Sequence, residues 1–353
     1  MVSWKFCPVA ESVNSTKHGL KPFHLICTSR CATRGTSRVA PPILFPSQPL
    51  EKDTLPFKVR KMHSDTATDS APVYVGVDIG GTSTRIGLFQ TLDSPEFLRV
   101  ARFLTLQSYE QQIQSIIDAL QSCGVSNFAG IGVSIAGKIA KDGRSVIVAP
   151  NMPEYLHKPF VHDLSTHSGC PVRLAHDTVC GLLGEKKFGN VRDDDRCAYL
   201  TISTGTGAAL QLRKAKTVLT ISIEVGHQIL DGNTRVCLCG QVGCLETFTG
   251  GRQLELRLGH SVAQVSDKAF WETFSDKLAL GLVNLAQLAK VEAVAVSGAI
   301  ALNNPFLLTL IQQKVNALIR GTALELRLAK LAENAPIVGA ALLLETPEET
   351  ILH

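Results

Sequence analysis

"VYVGVDIGGTSTRIGLF", residues 73–89, decides the fold of this chain. A valine- and tyrosine-rich run ends at Asp78, Gly80 and Gly81 follow, and a second apolar run begins at Ile86. β-Branched and aromatic residues favour extended backbone and paired glycines interrupt it, so the stretch predicts strand, glycine turn, strand. The pattern returns about 125 residues later in "CAYLTISTGTGAALQL", 197–212. Two such hairpins, each opening a segment of mixed strand and helix, imply a duplicated α/β domain with a cleft between its halves.

The intervening sequence fills in that plan. Ile113, Ile116, Ile117 and Leu120 repeat at helical spacing within 110–123. "FAGIGVS" (128–134) reads as a strand ending in the turn "IAGK". "PVRLAHD" (171–177) is a short strand, followed by a helix that Gly189 closes. Residues 252–290 are helical in pattern. "VEAVAVSGAI" is a strand running into a glycine turn, "PFLLTLIQQKVNALI" a helix, "TALELRLA" a late strand and "APIVGAALLLE" a final apolar helix.

The 353 residues carry a net charge of +4, unevenly distributed. Residues 1–61 hold ten basic and three acidic side chains and seven of the sixteen prolines, leaving 25 basic and 28 acidic residues in the rest. The body is therefore no basic nucleic-acid binder. Residues 1–72 read as a disordered or dispensable leader. Two explanations compete: an organellar transit peptide, or an extension ahead of a true start at Met62. No apolar run approaches the roughly 18 residues of a membrane span. The cysteines outside one cluster are scattered, which fits a reducing compartment, and the expected location is the cytoplasm.

Two glycine turns are candidate phosphate cradles. Gly80 and Gly81 let backbone N–H groups approach phosphate oxygens, Thr82 and Thr84 add hydroxyls, and Asp78 is placed to hold a Mg²⁺ ion. "STGTG" (203–207) offers a second cradle. Neither is the P-loop or the dinucleotide fingerprint, and either alone is equally a plain hairpin turn. Asp177, where a strand meets a helix, is an N-cap or a general base taking a proton from an attacking hydroxyl.

"CLCGQVGCLE", residues 237–246, gathers three cysteines within eight positions. With His227 they make the three-thiolate, one-imidazole set of a closed tetrahedral zinc site: His227, Cys237, Cys239 and Cys244. A Cys237–Cys239 disulfide would be strained and leave an odd thiol, and the spacing is not that of a CxxC redox pair. The role expected of the metal is structural. Glu224 and Glu246 flank the cluster as non-ligands.

Taken together, D-x-G-G-T, N-x-P, a strand-end Asp, T-G-x-G, E-x-G-H and C-x-C-G-x-x-G-C-x-E resemble the ROK family, a group of repressors, open reading frames and sugar kinases, over residues 73 to about 345. The resemblance implies a duplicated actin-like (RNase H-like) ATPase fold, α/β, with two lobes around a cleft and a zinc knuckle. It divides the body into 73–180, completed by a C-terminal helix at 336–348, and 181–335. By the same resemblance Asp78, Gly80, Gly81 and Thr82 belong to the first phosphate motif. Thr204, Gly205, Thr206 and Gly207 belong to the second, and Gly298 to the adenosine side. Gly137, Asn151, His176, Glu224, His227 and Glu246 fall at the sugar, and Asp177 is similar to the base acting on a C6 hydroxyl. His227 then ligates zinc through one nitrogen and presents the other to the sugar.

The implied activity is ATP- and Mg²⁺-dependent phosphorylation of a hexose, glucose foremost, by a zinc-containing homodimer with no nucleic-acid or membrane partner. The sequence departs from the family at His176 (Asn is usual), at Glu154-Tyr155 (Gly-Trp) and at Ser222-Ile223 (Ala-Gly). These positions surround the expected sugar pocket, so an N-acetylmannosamine-type kinase is the alternative substrate class. A non-catalytic sugar sensor or a repressor is the alternative of another kind; residues 1–72 offer no paired helices of a helix-turn-helix.

Overall fold

A computed structural model describes residues 58–61 and 71–353. The first half runs β1 (Lys58–Lys61), β2 (Val73–Ile79), β3 (Ser83–Phe89), β4 (Arg99–Leu104), α1 (Tyr109–Ser122) and β5 (Phe128–Ile135). It continues through β6 (Lys138–Ile139), β7 (Val146–Val148), α2 (Phe160–Ser168) and β8 (Val172–His176). Then follow α3 (Asp177–Phe188), β9 (Arg196–Ile202), β10 (Thr206–Lys214), β11 (Thr217–Ile223), α4 (Glu246–Thr249) and α5 (Gly251–Leu258). The chain closes with α6 (Lys268–Ala289), β12 (Ala293–Ser297), α7 (Ala299–Asn303), α8 (Phe306–Leu318), β13 (Glu325–Leu328), α9 (Ala335–Leu342) and β14 (Ile351–Leu352).

Twelve of these strands build two six-stranded sheets, β1-β4-β3-β2-β5-β8 and β13-β12-β9-β10-β11-β14, and β6 pairs with β7 in a two-stranded sheet. Numbered within each half, both sheets share the order third, second, first, fourth, fifth: β4-β3-β2-β5-β8 and β11-β10-β9-β12-β13. The first three strands of each are antiparallel neighbours, and the last two are added in parallel. The repeat seen between the two glycine hairpins is thus a repeat of topology. Each sheet gains a sixth strand at the same edge: β1 on β4, β14 on β11.

Strand β1 falls within residues 1–72, the expected leader. Lys58–Lys61 pairs antiparallel with β4, because an edge strand presents a row of unsatisfied backbone groups that another segment can fill. This strand lies ahead of Met62. The rest of that leader, up to residue 70, lies outside the described residues.

Burial follows the apolar periodicity. In α1, Ile116 and Leu120 are at most 2% exposed, and with Phe160 of α2 they join the core of the first sheet. Each such side chain contributes about 1.5–3 kcal/mol relative to exposure. Trp271, Phe274 and Leu278 of α6 do the same for the second sheet, together with Leu307 and Ile311 of α8. The predicted helical stretch 252–290 is broken in the structure. Gly259, in the left-handed region, ends α5, and the Asp267 side chain accepts the Ala269 amide at 2.9 Å to open α6.

Between the sheets lie α3 and α9, packed against each other. α9 rests on β2 and β5, and α3 on β9 and β10. The approach needs bare backbone: a Cβ at Gly132 would overlap the Ala340 carbonyl, and one at Gly339 would overlap the carbonyl of Cys180. The final apolar helix, which begins at Ala335 while β2 ends at Ile79, is therefore an internal element of the fold. Among the described residues no helix is long and apolar enough to cross a membrane.

Candidate active site and cysteine cluster

The C-terminal ends of parallel strands in an open α/β sheet form a crevice where ligands bind. In the first sheet β2, β5 and β8 end side by side, with Asp78 opposite Ser134 and Ile135 opposite His176. Asp78 is also the register partner of Arg85 across the hairpin. Arg85 Nη2 donates to Asp78 Oδ2 at 2.8 Å, and Ser134 Oγ donates to Oδ1 at 2.8 Å. Burial raises the Asp78 pKa above its ordinary value; Arg85 and Ser134 oppose the rise, and the negative charge of Asp177 adds to it. Arg85 Nε adds a third, longer bond to Oδ2 at 3.3 Å; a carboxylate has about four lone-pair sites, so Asp78 keeps capacity for one more donor such as a metal-bound water.

The glycine turn itself is held from behind. Thr105 Oγ1 donates to Gly80 O at 2.7 Å, and its amide donates to Thr82 O at 3.1 Å. Thr84 Oγ1 lies 3.0 Å from Thr105 Oγ1 and accepts from Gln112 Nε2 at 2.8 Å, while Gln112 Oε1 accepts the Leu106 amide at 2.9 Å. Thr84 and Gln112 are wholly buried. A satisfied buried network of this kind rigidifies the backbone it holds. Gly81 and Thr82 are left exposed at the tip.

At the junction of β8 and α3, the N-cap position belongs to His176, not Asp177. His176 Nδ1 lies 3.2 Å from the Thr178 amide and 2.7 Å from Thr178 Oγ1. It also lies 2.9 Å from Asp177 Oδ1, which accepts the Thr178 amide at 2.7 Å. Among the described residues Asp177 Oδ2 has no donor, and the side chain is 30% exposed. One oxygen is anchored; the other is available to take a proton.

Burial pulls the His176 pKa down, but Asp177 and Glu224 outweigh it and the net shift is upward from 6.5. Such a group stabilises the fold below about 6.5, and the contribution is lost as pH rises through the higher folded value. A protonated His176 places a positive charge 2.9 Å from Asp177 Oδ1, where it opposes the approach of a proton. Turnover is therefore expected to rise about three- to tenfold as His176 deprotonates. A pH–kcat profile of the wild type against His176→Asn checks this: the limb should vanish in the variant.

The second glycine turn is tied to the helices that follow the cysteines. The amides of Gly251 and Arg252 donate to Ser203 O at 2.8 Å and Thr204 O at 2.9 Å. Glu246 Oε2 accepts the Thr206 amide at 2.8 Å, and Thr206 Oγ1 lies 2.8 Å from Thr249 Oγ1. Gly298 caps α7 at φ 92°, a conformation that favours glycine, and a Cβ there would strike the Ile202 backbone at the start of the turn. Arg252 Nη1 then reaches across to Asn151 Oδ1 at 2.5 Å. Asn151 also flanks the first turn, 3.4 Å from where a Gly81 Cβ would stand.

The ligand atoms of His227, Cys237, Cys239 and Cys244 lie within 4.8 Å of one another, and the thiols are unbonded. Cys239 Sγ and Cys244 Sγ are 3.7 Å apart, and Cys237 Sγ is 3.9 Å from His227 Nδ1. A tetrahedron with metal–sulfur bonds of about 2.3 Å requires sulfurs about 3.8 Å apart, so the residues fit a zinc-sized ion. The other ring nitrogen, Nε2, faces Glu224 Oε2 at 4.0 Å. Gly240 and Gly243, at φ 93° and 94°, turn the loop back on itself.

The structure thus brings together Asp78, Gly80, Gly81, Thr82, Ser134, His176 and Asp177 on one sheet. On the other it brings together Thr204–Gly207, Gly298 and Glu246. Gly137 sits in the turn after β5 at φ 148°, and Glu224 is largely exposed. Arg85, Ser134 and Arg252 escaped sequence reasoning. For Arg85 a signal existed, since a hairpin turning at Gly80–Gly81 places positions 78 and 85 opposite each other. For Arg252, 101 residues from Asn151, none did.

Fold and site together define a duplicated α/β protein of the actin-like ATPase type, with two glycine turns and a Cys₃His cluster. The ROK family model matches residues 74–346, and the chain belongs to the ROK family. It is 30% identical over 194 residues to a glucokinase of Thermotoga maritima, a match covering 53% of this chain and 60% of that one. It is 26% identical over 290 residues to the xylose repressor of Bacillus subtilis, covering 75% of each. The chain spans 32% and 60% of the length of two of the curated relatives it matches. A ROK family glucokinase from Streptomyces griseus, solved with glucose and AMPPNP, shares the fold with a TM-score of 0.64 at 24% identity, over 77% of this chain and 98% of that one.

Proposed function

We propose that this protein is an ATP-dependent sugar kinase that phosphorylates the C6 hydroxyl of a hexose, glucose foremost. The observation that carries the reading is Asp177. Its carboxylate has one oxygen anchored and one open, at the strand ends beside Asp78. A repressor has no need of such a base.

In this reading Asp177 Oδ2 accepts the C6 proton as the hydroxyl oxygen attacks the terminal phosphoryl group. The amides of the two glycine turns, with Thr82 and Thr204, cradle the phosphates. Asp78, steadied by Arg85 and Ser134, would hold Mg²⁺, which when bound neutralises the developing phosphate charge. Asn151, His176, Glu224, His227 and Glu246 orient the sugar. His227, Cys237, Cys239 and Cys244 would hold a structural Zn²⁺, fixing His227 through Nδ1 and leaving Nε2 toward Glu224 and the sugar. The Arg252–Asn151 bond spans the two halves and would keep water out while both substrates are bound.

The alternative substrate class, an N-acetylated hexosamine such as N-acetylmannosamine, rests on the departures at His176 and Ser222-Ile223. The departure at Tyr155 does not bear on it. That side chain is wholly buried in the first core, its hydroxyl donating to Leu106 O at 2.7 Å. A panel of hexoses and N-acetylhexosamines with ATP and Mg²⁺, followed by ADP release, tests the proposal. Glucose is expected to give the highest kcat/KM. Preference for an N-acetylhexosamine would move the substrate to the alternative class, and no sugar-dependent ADP would defeat the kinase reading.

A further inference from the structure

Two cations lie against one aromatic ring beside the cysteine cluster, and a third is anchored one residue away in the chain. The Arg235 guanidinium carbon stands 3.8 Å from the centroid of Phe248, and Lys277 Nζ lies 5.4 Å from the same centroid. Arg257 Nη1 donates to Thr247 O at 2.8 Å, one residue before Phe248, and its charge reaches Arg235. Like charges so gathered repel, and partial burial strengthens the repulsion. Among the described residues no carboxylate pairs with any of the three. Asp276, next to Lys277, pairs instead with Lys314 at 2.6 Å, and Glu246 accepts the Thr206 amide. Arg235 Nη1 is buried with no hydrogen-bond partner. Buried donors in native proteins are nearly always satisfied, so a charged one left open calls for an acceptor.

We propose that Arg235, Arg257 and Lys277 form a binding site for a small phosphate-bearing anion seated against Phe248. The planar guanidinium fork matches phosphate oxygens in pairs, and the ammonium adds a third charge-assisted donor. None of the three belongs to either glycine turn, so the site is separate from the phosphate cradles. Its position suits regulation. Phe248 is on α4, two residues after Glu246, and Arg235 O accepts the Gly243 amide at 2.9 Å within the cysteine loop. An anion there would draw α4 and the loop together.

The test is calorimetric titration of inorganic phosphate, and in a second arm glycerol phosphate, into the full-length zinc-loaded protein. A saturating non-hydrolysable ATP analogue keeps both glycine turns occupied, and chloride holds the ionic strength constant. Saturable binding is expected, weakened at least tenfold by Lys277→Gln and by Arg235→Gln. Lys277→Gln changes the surface of α6 alone and leaves the fold intact should Arg235→Gln disturb the loop. Tighter binding of the ester would mark an organic phosphate as the ligand, and equal binding free phosphate; either supports the site. Phosphate binding that is absent, or unchanged in Lys277→Gln, overturns it.

Discussion

Replacing Asp177 by Asn is expected to lower kcat for sugar-dependent ADP release by about 100- to 10,000-fold, the usual contribution of a positioned base. The sugar KM should move far less. The amide keeps the shape of the carboxylate and can still accept the Thr178 amide through its carbonyl oxygen, so the start of α3 should survive. What it loses is the basic oxygen. Steady-state kinetics with circular dichroism as a fold control measures the split, and a variant with near-normal turnover would remove Asp177 from its assigned role.

The second large effect concerns the cysteine loop. Ile229, Val236, Leu238 and Val242 are all more than half exposed, so the segment from 228 to 243 has little apolar core of its own. Its shape must come from turns and from the four converging ligand side chains, which is where a structural metal contributes folding energy. Purified protein is expected to hold about one zinc per chain, and Cys239→Ser to lose it. Burial pushes the Cys237 thiol up to about 12, so metal binding must drive off its proton and should weaken as pH falls. Loss of the metal should raise the sugar KM at least tenfold, about 1.4 kcal/mol. Because Glu246 carries the Thr206 amide, the KM for ATP should rise as well. Metal analysis and two-substrate kinetics on the same samples decide it. A metal-free protein with unaltered KM values would contradict the structural role.

Where local chemistry was strong, the sequence announced the structure. Turn glycines after a β-branched run, Gly80-Gly81 and then Gly205 and Gly207, placed both hairpins, Gly189 closed α3, and four ligand residues of unmistakable type converged. Strand β11, "TVLTISI", has good β character, but no glycine or proline marks the turn that joins it to β10, where Ala215 takes φ 55°. Strand β4, "RVARFL", carries three charged or exposed positions in six and gives a weak signal, its pairing being supplied by β3 on one side and β1 on the other. The contacts that finish the site are non-local. No local pattern reveals that Gly132 and Gly339 admit α9 between sheet and helix, or that Arg252 meets Asn151. Such contacts depend on how two similar halves pack, which propensity does not encode.

Whether the cleft turns over a sugar as well as holding it is decided by one paired measurement. Calorimetric binding of the best hexose from the panel and ADP release with that same hexose, taken on one zinc-replete preparation, should agree. Saturable binding is expected, together with sugar-dependent ADP release that half-saturates in the same concentration range. Binding with no ADP above the sugar-free background would contradict it and make the protein a sugar sensor.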